Sequence, residues 1–322
     1  MRSNPPAKPT VLVLRALKLG DLLVAVPALK GIRAAFAHHQ VVLAAPQWLG
    51  PVVDLIPAVD QLVPLAGLEC TLPEAFDGVD VAVNLHGNGA QSRALLEGLH
   101  PVRRVGHASP GRDGPGRRGP KWDPGLHERR RWVELLRFHG IAAHADDVGI
   151  ELPSQRPALT GATVIHVGAS HGSRHWPVER FAAVARTLAG EGHTVVLTGD
   201  AHDAPRAAAA ARLAQLPEVR NLAGRLGLGD FAALIAAASV VVSADTGAAH
   251  LASAYGTPSV VLFGPAPPSQ WGPPPGPHLV LTDGRLRRGE VFSAVPDPAL
   301  LAVQVRQVLA AVATVTSPVG CL

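Results

Sequence analysis

Apolar residues along this chain fall into two kinds of run. Short, wholly apolar stretches such as 11–14 suit strands buried on both faces, and longer stretches with apolar positions at helical spacing follow them, as over 20–36. The same reading predicts strands over 41–45, 61–65, 79–85 and 103–106, with helices over 52–56, 90–99 and 126–138. A Gly/Pro/Arg-rich stretch over 108–125 has no period and reads as a mobile loop. Beyond an irregular segment over 142–160, broken by Pro153 and Pro157, the alternation restarts: strands over 163–167, 194–198, 219–221, 240–243 and 259–263, and helices over 178–189, 204–215, 229–237 and 247–254.

Strand and helix in alternation predict α/β architecture, with a parallel sheet in each half wrapped by helices on both faces. The expected domains are 1–155 and 156–322, both Rossmann-like. Ligands of such sheets bind beyond the carboxyl ends of the strands, so the residues that follow each strand are where chemistry is sought.

Composition narrows the class. With 47% apolar and only 17% charged residues, packed cores are expected rather than disorder. The two cysteines, Cys70 and Cys321, are too far apart for a metal or redox pair, which fits a reducing compartment. Arg2 and Lys8 with three early prolines, then Arg15, Lys18 and Asp21, argue against a signal peptide, and no run reaches the roughly 20 apolar residues that span a bilayer. A cytoplasmic protein is expected, any membrane contact being peripheral to the inner face. Net charge is +4, and its excess gathers at Arg103, Arg104, Arg112, Arg117, Arg118, Lys121 and Arg129 to Arg131, against Asp113, Asp123 and Glu128. That tract either attracts an anionic partner or is a solvated loop.

The strongest local signal runs from Ser243 to His250: an apolar strand leaves through Asp245-Thr246-Gly247 and enters a helix. Asp245 or Thr246 can cap that helix, Gly247 permits close backbone approach, and free amides at the positive dipole end suit a diphosphate, with His250 in reach. Tyr255-Gly256-Thr257-Pro258, Phe263-Gly264-Pro265 and Trp271-Gly272-Pro273 add a rigid aromatic loop. After strand 163–167, the stretch from Gly168 to Pro177 leaves Ser170 and Arg174 free to bind oxygen anions of a leaving diphosphate. After strand 194–198, Asp203 is either a ribose acceptor or a helix cap.

In the first half, Asp21 follows Gly20 at a strand-to-helix loop, where a carboxylate can take a proton from an attacking hydroxyl or cap the helix. Asn84-Leu85-His86-Gly87-Asn88-Gly89 ends a strong strand and suits an acceptor loop or a simple turn. His171 and His175 have the spacing of a zinc pair but flank a loop and lack the accompanying Glu, so no metal site is expected.

Taken together, Gly20-Asp21 with Pro27-Ala28-Leu29, Arg174-His175-Trp176-Pro177, Gly199 to Asp203, Asp245-Thr246-Gly247 with His250, and the Phe263 and Trp271 loops resemble glycosyltransferase family 9. The resemblance covers nearly the whole chain. It implies a GT-B fold, two Rossmann-like domains facing across a cleft, and inverting, metal-independent transfer of a sugar, heptose from ADP-heptose, to a saccharide acceptor such as lipopolysaccharide inner core. Residue by residue it implies Asp21 as catalytic base, and Ser170, Arg174, Asp203, Asp245, Thr246, Gly247 and His250 at the donor. Acceptor contacts are expected from Asn84, His86, Arg103 and Arg104. Two departures stand out: Arg174 where lysine is usual, and Asn84 where many relatives carry aspartate. No cofactor is expected beyond the nucleotide sugar, no nucleic acid partner, and a monomer. The rival readings are a GT-B enzyme using another nucleotide sugar and a small glycoside, an epimerase on the same fold, and a non-catalytic nucleotide-sugar-binding protein. A nicotinamide dehydrogenase is disfavoured because no G-x-G-x-x-G follows a strand.

Overall fold

The computed structural model describes residues 8–108 and 119–317. Cys321 and the Arg112, Asp113, Arg117 and Arg118 part of the basic tract lie outside the described residues, as does most of the stretch expected to be a loop. The chain divides into two compact units, Met1–Glu151 and Leu152–Leu322.

In the first unit, β1 (Thr10–Leu14), β2 (Gln40–Ala45), β3 (Gln61–Pro64), β4 (Val81–Asn84) and β5 (Arg103–Val105) form a parallel sheet in the order β3-β2-β1-β4-β5. Val11 to Leu14 are fully buried, as a central strand covered on both faces must be. Helices α1 (Leu19–Ala35), α2 (Gly50–Val53), α3 (Ala90–Glu97) and α4 (Glu128–Phe138) belong to this unit. Gly31 lets α1 come close to the chain after α4: a Cβ there would stand 2.6 Å from the Ala142 carbonyl oxygen.

The second unit has β6 (Thr163–His166), β7 (Val195–Thr198), β8 (Val240–Ala244), β9 (Ser259–Leu262) and β10 (His278–Leu281), parallel in the order β10-β9-β8-β6-β7. Its helices are α5 (Val178–Gly190), α6 (Ala204–Ala214), α7 (Leu228–Ala236), α8 (Gly247–Tyr255), α9 (Pro268–Trp271), α10 (Pro298–Leu301) and α11 (Val305–Thr316). Trp176 and Phe181 pack edge to face at 4.9 Å within one apolar core, and the Trp176 indole N–H donates to the Val303 carbonyl at 3.1 Å.

Two expectations change. The strand expected over 219–221 is a single 3-10 turn, Glu218–Arg220, with only Asn221 bridging to Leu197. Pro217 offers no amide to a ladder, and Val219 is 71% exposed, so no sheet face buries it. Conversely, the edge strand β10 has no counterpart in the sequence reading: four residues set among prolines and glycines are only half-buried and carry little period.

Each sheet order reverses once, between β1 and β4 and between β6 and β8. The carboxyl ends of strands flanking such a reversal open a crevice where ligands of doubly wound sheets bind.

Candidate active site

In the second unit the loops after β6 and β8 meet at that reversal. Asp245 follows β8, its amide donates to the Leu262 carbonyl at 3.0 Å, and its side chain is 6% exposed. The carboxylate is flanked on both sides: Arg174 Nε lies 3.4 Å from Oδ2, and His250 Nε2 3.6 Å from Oδ1. Arg174 Nε is buried and makes no hydrogen bond, so the site holds an oriented cationic donor with capacity to spare.

Helix α8 begins at this carboxylate. Thr246 occupies the N-cap position, but its hydroxyl contacts Ser243 Oγ at 2.9 Å and does not cap the helix. The capping role read for Asp245 or Thr246 is therefore not realised: Asp245 faces Arg174 and the His250 imidazole, and Thr246 a neighbouring hydroxyl. The first intrahelical bonds run from Ala249 and His250 to the Thr246 carbonyl, and those of Gly247 and Ala248 have no such acceptor. His250 also stands edge-on to Trp271, at 6.3 Å between centroids.

Ser170 is exposed in the same loop that carries Arg174. Asp203 is at the N-cap position of α6 without capping it: its carboxylate accepts the Asp200 amide at 3.0 Å and lies against Gly168, where a Cβ would come within 2.0 Å of Oδ2. Burial pushes the Asp203 carboxyl up and neighbouring Asp200 adds to this, while the Asp200 and Ala169 amides pull it back. Asp203 thus borders the Arg174 loop.

The first unit assembles a second group at the β1/β4 reversal. Asp21 is the third residue of α1, and its carboxylate accepts the Lys18 amide at 3.3 Å, so it closes a capping box while its side chain stays 27% exposed. Beneath it lies Arg15, 1% exposed, which sequence reasoning passed over. Arg15 Nε donates to the Asp21 carbonyl at 2.9 Å and Nη1 to that of Leu85; Nη2 is 3.7 Å from Asp21 Oδ1 and 3.6 Å from Glu128 Oε1. Its guanidinium also sits 4.7 Å from the Trp132 ring centre. Burial pulls Arg15 below its ordinary pKa, and the Asp21 and Glu128 carboxylates oppose this. A lone arginine ending an apolar strand was the only available signal.

His86 joins this group. Burial and then the Arg15 charge hold its imidazole below the usual pKa against the pull of Asp21, and its buried Nδ1 has no hydrogen-bond partner. Asn84 is used up locally, donating to Ser92 Oγ at 3.1 Å and accepting the His86 amide at 3.0 Å, which is turn chemistry. Arg103 and Arg104 are not brought to Asp21: they stand on edge strand β5, with Arg103 on the His139 carbonyl at 2.7 Å and Arg104 on Glu97 at 2.6 Å. Among the described residues no helix is long and apolar enough to cross a membrane, and no group of three or more His, Cys, Asp or Glu could hold a metal.

Residues 131–280, which contain β6, β8, Arg174, Asp245 and His250, match the model of glycosyltransferase family 9 (heptosyltransferase). The match spans a little under half of the chain. Similar proteins include Lipopolysaccharide heptosyltransferase 2 of Escherichia coli (strain K12), 34% identical over 42% of this chain and 39% of that protein. Lipooligosaccharide heptosyltransferase 2 of Haemophilus influenzae is 30% identical over 51% of this chain and 53% of that protein. The chain thus aligns with about two fifths to one half of the length of these relatives. The fold extends further than the sequence similarity. A family 9 glycosyl transferase from Veillonella parvula superposes with a TM-score of 0.77 at 19% identity, over 95% of this chain and 97% of that one. The E. coli ADP-heptose lps heptosyltransferase II superposes at 0.76 and 22% identity, over 95% and 98%. The fold is GT-B.

Proposed function

We propose that the chain is an inverting, metal-independent glycosyltransferase that moves heptose from ADP-heptose to a hydroxyl of a saccharide acceptor such as lipopolysaccharide inner core. The observation that carries this reading is the Arg174, Asp245 and His250 cluster at the start of α8. A cationic donor without a hydrogen bond and two helix amides without intrahelical acceptors are partners for a departing diphosphate. ADP-heptose is the donor for which one structural relative is named, and lipopolysaccharide stands in the names of the sequence relatives.

In this reading Asp21 takes the proton of the attacking hydroxyl as the new glycosidic oxygen bond forms at the anomeric carbon and the bond to the diphosphate breaks. Arg15 holds the Asp21 turn from below, and His86, kept neutral, can accept or donate a hydrogen bond to the acceptor. Charge developing on the leaving diphosphate is met by Arg174 and the α8 amides. No protein-bound intermediate forms, and the work is done in the cytoplasm with any membrane contact peripheral.

The test has two parts. In a thermal-shift screen ADP-heptose should stabilise the protein more than UDP- or GDP-sugars do, by about 2.7 kcal/mol at a concentration 100 times its Kd. Asp21→Asn should abolish transfer to the acceptor while leaving donor binding intact. Undiminished turnover, or a preference for another nucleotide, would reject the base or the donor respectively.

A further inference from the structure

A cavity of about 470 Å³ in the second unit has no part in the chemistry described so far. Trp271 lines both it and the small recess that contains Asp245 and His250. One wall is mostly apolar: Pro265, Ala266 and Pro267 after β9, with Gln270 and Trp271 at the end of α9. The facing wall is the arm from Gly284 to Val291, which carries Arg287 and Arg288.

That arm is held in place by buried chemistry. The Asp297 carboxylate, 4% exposed, accepts the amides of Arg288 at 3.1 Å, Gly289 at 3.2 Å and Ala299 at 2.9 Å. Gly289 turns the arm at φ +83, a conformation that favours glycine. Arg287 Nε donates to the Gly264 carbonyl at 2.7 Å and Nη2 to Thr282 Oγ1 at 2.9 Å, which fixes the guanidinium plane and leaves Nη1 without a hydrogen bond among the described residues. The Arg288 side chain has no partner there, and the nearby opposing charge on the arm is the exposed Glu290.

From this we infer that the cavity is a binding site for an anionic saccharide, a sugar bearing a phosphate or a carboxylate. The fixed guanidinium of Arg287, with the exposed and unpaired Arg288 beside it, matches such groups, and the Trp271 and proline wall matches the C–H face of a sugar ring. A neutral sugar would leave the arginines unmatched, and a bare anion would leave the aromatic wall uncovered. The arm also touches the loop of Arg174: Ser173 Oγ donates to the Val291 carbonyl at 2.7 Å, the Ser173 amide to Ser293 at 2.8 Å, and the Asp297 amide to the Ser173 carbonyl at 3.0 Å. An occupied cavity therefore steadies the segment that carries Arg174. That the saccharide serves as acceptor rests on the transferase reading; that it binds does not.

The experiment is isothermal titration of the full chain with glucose 6-phosphate, glucuronate, glucose and inorganic phosphate, each with and without saturating ADP. Glucose 6-phosphate or glucuronate should bind, glucose and inorganic phosphate should bind at least tenfold more weakly, and ADP should not displace them. Arg288→Ala, which leaves the hydrogen bonds of Arg287 in place, should weaken binding roughly tenfold or more without changing ADP affinity. Equal binding by wild type and Arg288→Ala overturns the site. Equal binding of inorganic phosphate overturns the saccharide, and displacement by ADP assigns the anion to the diphosphate site. None of these measurements needs turnover, so an inactive transferase would leave their outcome standing.

Discussion

Arg15 lies directly under Asp21, giving its Nε hydrogen to the Asp21 carbonyl at 2.9 Å while its Nη2 faces the same residue's carboxylate at 3.7 Å. The backbone contact fixes where the turn stands, and the charge contact is shared with Glu128 at 3.6 Å. A buried guanidinium is tolerable only with partners, so the group acts as a unit.

Arg15→Met should therefore cost more than a surface change. It leaves the Glu128 carboxylate without this cation and frees the Asp21 turn, for a loss on the order of 2–4 kcal/mol. Arg15→Lys should restore part of the stability but little of the transfer rate, because one ammonium cannot reach the Asp21 carbonyl, the Leu85 carbonyl and Glu128 together. Urea unfolding and steady-state kinetics measure the two effects; a lysine variant with normal kcat would remove Arg15 from the positioning of Asp21.

Arg174→Ala should raise the donor KM on the order of tenfold or more, and it should also cost some stability because the 6%-exposed Asp245 carboxylate keeps only His250 beside it. Arg174→Lys should recover much of the affinity. ADP titration of both variants decides this, and unchanged ADP affinity in the alanine variant would place the diphosphate elsewhere.

Gly172→Ala probes the loop from below. A Cβ there would stand 1.9 Å from the Ala294 carbonyl oxygen and 2.4 Å from its carbon, both backbone atoms that cannot rotate away. The 172–174 turn and the 291–297 arm must separate, at a cost of about 1–3 kcal/mol, and donor affinity should fall with it. A variant with wild-type melting temperature and ADP affinity would show that the contact carries neither.

The stability of the first unit should depend on pH through His107. Burial first, then Arg131 and His139, pull its pKa down to about 4, between the edges of Trp122 and Trp132. The unfolded chain, with a histidine pKa of about 6.5, binds the proton that the folded chain refuses. The contribution is complete above about pH 6.5 and is lost as pH falls toward 4, by at most about 3 kcal/mol. Unfolding free energies from pH 7 to 4 should fall more steeply for wild type than for His107→Gln; parallel curves would acquit this histidine.

The local pattern in the chain was enough for most of the framework. Apolar runs such as 11–14 and 240–243 bury on both faces wherever they sit, so strands and their following helices were legible, and with them the places where Asp21, Arg174 and Asp245 stand at strand ends. Short, half-buried pieces were not. The turn at 218–220 and the edge strand β10 depend on what packs beside them more than on their own period.

What a side chain does beyond a strand end is a different matter, because its partners come from distant segments. Asp245 could be read as a helix cap from its neighbours alone, yet Arg174 and His250 claim it. Asn84 had the character of an acceptor contact, yet Ser92 and the His86 amide consume it. Glu128 and Asp297 carried no signal of their roles, and Arg15 only its place after an apolar strand, since a charged residue acquires its role only when burial strips its water and leaves particular partners to replace it. Periodicity determined the scaffold and where its strands end; desolvation and long-range pairing, which exist only in the folded chain, decided which polar groups are spent on structure and which remain for a ligand.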